Sequence, residues 1–117
     1  MLTITGNTEI HIANAPVDMR KAIDGLSVAV IELLDKSPQA DAMYIFYNKS
    51  FDKIKILFWH KNGFVLFYKR LEKGKFKFPK KTDTQLIINK KQLSWLIAGL
   101  DFLLMDEFKE LNYDDYC

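Results

Sequence analysis

Lysines and arginines crowd the middle of this chain. Residues 49–81 hold 11 basic and 2 acidic side chains, whereas residues 1–48 hold 3 and 6, residues 82–100 hold 2 and 1, and residues 101–117 hold 1 and 6. The segments therefore carry −3, +9, +1 and −5 in chain order, and the formal total of +2 conceals a cationic block followed by an acidic tail. Such a block contacts anions, phosphates above all. Lys53, Lys55, Lys69, Arg70, Lys73, Lys75, Lys77, Lys80 and Lys81 are the candidate nucleic-acid ligands, with Arg20 and Lys21 as an extension. Lysines on strands bring charge but little base code, so the binding they imply is mainly sequence-independent. The competing reading is a solvated sheet face, where lysines also discourage edge-to-edge aggregation.

Other chemistries find less to work with. Metal-dependent strand transfer needs converging carboxylates, and Asp18, Asp24, Asp52 and Asp101 each have a plainer role as a cap, a helix-surface residue or a turn residue. His11 and His60 have no cysteine beside them, and the single Cys117 can close no internal disulfide, so neither zinc nor a cofactor is expected. No phosphate loop, nucleophile elbow or dinucleotide fingerprint occurs. The reading is therefore non-enzymatic. No apolar run approaches a membrane span and the N-terminus lacks signal-peptide order, which suggests a cytoplasmic protein.

These cations need elements to position them. The strongest local signal is the hairpin Asp52–Trp59, His60–Gly63, Phe64–Arg70, with Asn62-Gly63 suited to a type I′ turn. That turn sets Trp59 opposite Leu66 and Phe58 opposite Phe67, aromatic at one end and ringed by cations at the other. A ribbon apolar on both faces requires a larger sheet with helices packed on it. Met43–Tyr47 reads as a buried strand and Gln85–Ile88 as a last short one. Thr3–Ala13 reads as a small hairpin, with Gly6-Asn7 as its turn, or as an edge strand. Asp18 caps a helix over about 18–36 whose apolar face is Met19, Ile23, Leu26, Val30, Leu33 and Leu34. Asn89, with Gln92 three residues on, opens a second helix over about 89–105 whose face includes Leu93, Leu96, Ile97, Leu100, Leu103 and Leu104, with Gly99 as a weak point. Phe76 and Phe78 alternate with Lys75 and Lys77, which fits either a stacking platform for single strands or an ordinary amphipathic strand.

The fold expected is α+β: one domain over residues 1–117, an antiparallel meander of four to six strands packed by the two helices, with a frayed acidic tail from about residue 107.

Val17-Asp-Met-Arg-Lys-Ala-Ile-Asp-Gly-Leu26 resembles the helix opening of the accessory protein of insertion-sequence-66-type elements, the product of their second open reading frame (TnpB). Asp52-x-Ile-Lys-Ile-Leu, Asn62-Gly63, Lys69-Arg-Leu-Glu-x-Gly-x-Phe-x-Phe-Pro79 and Gly99-Leu-Asp101 follow in that family's order, covering roughly residues 15–102. Ala22, Ile23, Asn48–Phe51 and Phe78 depart from its pattern. The resemblance implies an accessory role in transposition beside a larger transposase, and it carries over no catalytic residue. Two functions follow. In one, the cations hold DNA. In the other, Trp59, Phe64 and Tyr68 anchor a protein partner, either the transposase or a second copy in a homo-oligomer.

Overall fold

The computed structural model describes residues 8–78 and 86–100. Its centre is the hairpin of β3 (Lys53–His60) and β4 (Gly63–Arg70), paired antiparallel. The turn differs from the expected one. His60 faces Gly63 and Trp59 faces Phe64, so the loop is Lys61-Asn62, and Lys61 takes the left-handed conformation at φ 56°. This register brings the Trp59 and Phe64 rings edge to face at 4.9 Å, an arrangement that aromatic quadrupoles favour. Because the shift is two residues, every side chain keeps its expected face and changes only its neighbour across the ladder.

β2 (Ala42–Tyr47) continues the antiparallel meander beside β3, and its six residues are all buried. The N-terminal strand breaks the pattern. β1 (Glu9–Ile12) runs parallel to β2, with α1 (Ile23–Leu34) as the crossover, and β5 (Leu86–Ile88) pairs antiparallel on its other side. The sheet order is β4-β3-β2-β1-β5. The α+β class stands, but the sheet is mixed: the meander spans only β2 to β4, and β1 is interior rather than an edge. The physical reason lies in Ile10, His11 and Ile12, which are all buried, so the strand needs cover on both faces and a neighbour on both sides. The expected Gly6-Asn7 turn lies outside the described residues.

Pairing assigns the faces. Ile10, Ile45, Ile56, Phe67 and Lys69 share one; His11, Tyr44, Lys55, Leu57 and Tyr68 share the other. A lysine on each face holds a helical segment against the sheet. Lys55 Nζ donates to the carbonyls of Met19 and Lys21, just before α1, at 2.8 Å each. Lys69 Nζ donates to the carbonyl of Ile97, at the end of α2 (Lys90–Ile97), at 2.7 Å.

Both helices are shorter than their periodicity suggested. Asp18 does not cap α1: its Oδ1 accepts the Arg20 N–H at 2.9 Å and stabilises a separate turn, and the N-cap is Ala22, with no side-chain bond. Leu26, Ala29, Val30 and Leu34 are buried, while Leu33 of the expected face is exposed. At the other end Asp35 adopts φ 50°, and Lys36 N–H reaches the Val30 carbonyl at 3.3 Å, closing the last turn. The capping box of α2 is formed as read, with Asn89 Oδ1 accepting the Gln92 N–H at 2.8 Å and Gln92 Oε1 accepting the Asn89 N–H at 2.9 Å. Gly99 at φ 81° turns the chain beyond α2, and Leu100 is exposed. Leu103, Leu104 and the acidic tail lie outside the described residues.

Among the described residues no helix is long and apolar enough to cross a membrane.

Candidate nucleic-acid interface

The far end of the sheet from the Lys61-Asn62 turn is built from three segments. Residues 13–17 run beside β2, with Ala13 N–H on the Ile45 carbonyl and Val17 N–H on the Tyr47 carbonyl, both at 2.9 Å. This delivers the Asp18–Lys21 turn to that end. The β2–β3 turn is held by Asn48, whose Oδ1 accepts the N–H groups of Asp52 and Lys53, both at 3.1 Å, while its Nδ2 donates to Asp52 at 2.6 Å. The latter bond is the main reason the Asp52 carboxyl titrates below its ordinary range. Past β4, Leu71 N–H reaches the Asp52 carbonyl at 2.8 Å and Phe76 N–H reaches that of Phe51 at 2.7 Å, laying residues 71–78 along the same turn.

The aromatics of this last segment are core. Phe76 is buried, and Phe78 packs at 4.4 Å on Tyr47, whose other neighbour is Phe51 at 5.5 Å. The segment is irregular rather than a strand. Phe76 and Phe78 are thus occupied inside the protein, and Lys73, Lys75 and Lys77 are exposed. Lys49, which charge counting alone did not single out, is exposed two residues before Phe51 in the turn that receives Phe76. Its signal in the sequence was its place in that turn.

The remaining predicted ligands divide by partner. Arg20 chelates Asp18, with Nη2 at 2.6 Å from one oxygen and Nε at 3.1 and 3.0 Å from both, which lowers the Asp18 pKa to about 2. Arg70 donates to Glu72 at 2.9 Å and Lys53 lies 3.5 Å from Asp52. These are exposed or half-exposed pairs that a stronger anion can replace. Lys55 and Lys69, in contrast, direct their ammonium groups into the chain as described, and Lys55 also lies 5.5 Å from the Tyr68 ring. Lys21 is exposed, with its stem across Gly25, where a Cβ would meet Lys21 Cβ and Cγ at 3.2 Å. Lys80 and Lys81 lie outside the described residues.

Segments 17–21, 47–53 and 70–78 thereby gather Arg20, Lys21, Lys49, Lys53, Arg70, Lys73, Lys75 and Lys77 against Asp18, Asp52 and Glu72. Among the described residues, no carboxylate lies within ion-pair distance of Lys21, Lys49, Lys73, Lys75 or Lys77. Such an end can neutralise several phosphates.

Trp59, Phe64 and Tyr68 share the face that bears Lys55, but they do not form one patch. Trp59 and Phe64 are half-buried against each other, whereas Tyr68, 49% exposed, lies four residues along β4 from Phe64, about 14 Å at the usual strand rise. Among the described residues, no group of three or more His, Cys, Asp or Glu side chains is arranged to hold a metal ion. Asp18 and Asp52 are bonded as above, Asp24 sits in the first turn of α1, and Asp101 lies outside the described residues.

A family model described as IS66 Orf2 like protein matches residues 8–107. Two Sinorhizobium fredii proteins are similar: uncharacterized protein y4jC, 36% identical over 93 residues that cover 80% of each chain, and uncharacterized protein y4hO, 31% identical over 102 residues that cover 87% of this chain and 89% of its own. No solved structure matches.

Proposed function

Since the chain belongs to the IS66 Orf2-like family, we propose that it is a non-catalytic accessory factor of insertion-sequence transposition that binds nucleic acid through the cationic end of its sheet. The observation that carries this reading is the cluster of Lys49, Lys73, Lys75 and Lys77, exposed and without a carboxylate partner among the described residues, on the end that also bears Arg20, Lys21, Lys53 and Arg70. Flexible ammonium groups on a turn and a loop neutralise phosphates without reading base edges, so affinity is general and salt-dependent. The element's transposase supplies the strand chemistry, and the working compartment is the cytoplasm, where both partners meet.

Fluorescence anisotropy with duplex and single-stranded DNA, using element-end and scrambled sequences between about 50 and 200 mM salt, tests this. Binding that weakens steeply with salt and is abolished by the double substitution Lys75→Glu and Lys77→Glu is the expected result. No binding at the lowest salt overturns it. Tyr68, half exposed on β4, supports a second reading, a protein adaptor for the transposase. Salt-tolerant co-purification with the transposase, lost on Tyr68→Ala, distinguishes that reading.

A further inference from the structure

β4 is an edge of the sheet. A two-residue loop makes its flanking pair, His60 and Gly63, exchange both backbone hydrogen bonds, and bonded pairs alternate along an antiparallel ladder. The bonded pairs continue as Phe58 with Val65, Ile56 with Phe67 and Ile54 with Lys69. Gly63, Val65, Phe67 and Lys69 therefore turn their N–H and C=O groups to β3, and Phe64, Leu66, Tyr68 and Arg70 turn theirs outward. Among the described residues, nothing hydrogen-bonds to these outward groups. Edges are normally blunted by shortness, proline, a bulge or charge. β4 is eight residues long, contains no proline, pairs without a bulge and has charge only at its last two positions.

We propose that the outer edge of β4 pairs antiparallel with β4 of a second copy, forming a two-fold dimer with one continuous ten-stranded sheet. Charge selects the direction. A parallel pair would set Lys69 and Arg70 beside their own copies, whereas an antiparallel pair sends the two cationic ends apart and lays apolar residues against each other. Parity selects the register. Opposite residues must share a face and pair outward group to outward group, so Leu66 faces Leu66 on the two-fold axis, Phe64 faces Tyr68 and Val65 faces Phe67. Tyr68, exposed in the single chain, gains a ring directly across the ladder, the kind of pair that stabilises sheets. The two Arg70 residues then stand eight residue rises apart along the strand direction, about 27 Å, so a dimer presents two cationic ends to one ligand. The dimer does not depend on the nucleic-acid reading and is measured without DNA.

Sedimentation velocity of the full chain over a concentration series, with residue-resolved amide exchange on the same samples, tests the proposal. The expected result is a dimer in which the Phe64, Leu66 and Tyr68 amides gain protection as concentration rises, while Val65 and Phe67 are protected throughout. Tyr68→Lys, at an exposed position, weakens the dimer at least tenfold with its circular dichroism unchanged, and Ile31→Lys on the exposed side of α1 leaves the dimer intact. A monomer at every concentration overturns the proposal. So does a dimer whose amides lack this alternation, whatever the two variants do.

Discussion

At Asp18 a side chain expected to start a helix instead holds an arginine. Both carboxylate oxygens take hydrogen bonds from Arg20, and the backbone N–H of Arg20 adds another. The folded pKa of about 2 lies below the ordinary 3.8, so the contribution to stability is full above the ordinary value and is lost as pH falls through about 2. Both groups are exposed, so salt screens the effect. A carbon-13 NMR titration of the Asp18 carboxyl is expected to give a midpoint near 2, moving to about 3.9 in Arg20→Ala. Residue type alone could announce a carboxylate near an arginine, but not which of capping or chelation it performs. That choice is made by Lys55, which fixes the carbonyls of Met19 and Lys21 and so sets where the helical turns begin.

The hairpin is the element whose existence was plainest in the sequence and whose turn was not. Asn62-Gly63 carries the usual turn composition, yet the left-handed position is occupied by Lys61. A left-handed conformation costs a residue with a Cβ roughly 1–2 kcal/mol, and glycine avoids it at some entropic expense. Lys61→Gly is therefore expected to raise stability by about 0.5–1 kcal/mol, measured as a rise in the urea midpoint at constant slope. An unchanged or lower midpoint would show that the turn carries no such strain. Strand alternation was legible for β2, β3 and β4 because their apolar residues are dense. The ends of the helices were not, since an apolar stripe continues past Ile97 while Gly99 at φ 81° redirects the chain.

The whole molecule uses its cations in two ways that a count cannot separate. Lys55 and Lys69 tie the segments on opposite faces to the sheet, whereas Lys49, Lys73, Lys75 and Lys77 face solvent. Replacing a charged donor leaves carbonyls without their partner, so Lys55→Met and Lys69→Met are each expected to lower stability by about 1.5–3 kcal/mol in urea unfolding. Neither is expected to change the salt slope of DNA binding. Neutralising any one of Lys49, Lys73, Lys75 and Lys77, each holding a phosphate, is expected to reduce that slope by about 0.9. A salt slope that falls with Lys55→Met or Lys69→Met would assign those ammonium groups to the ligand instead.

Composition and spacing by themselves determined the cationic block, the β-rich centre, the capping box of Asn89 and Gln92, and the motifs that mark the family, because each depends on residues near one another in sequence. Tertiary structure alone decided that β1 is an interior strand parallel to β2, since strand order follows from how buried faces are covered. It also decided which lysines are free for a ligand. A lysine's four-carbon stem reaches whichever carbonyl or solvent the fold puts in range, and that range joins residues as distant in sequence as Met19 and Lys55.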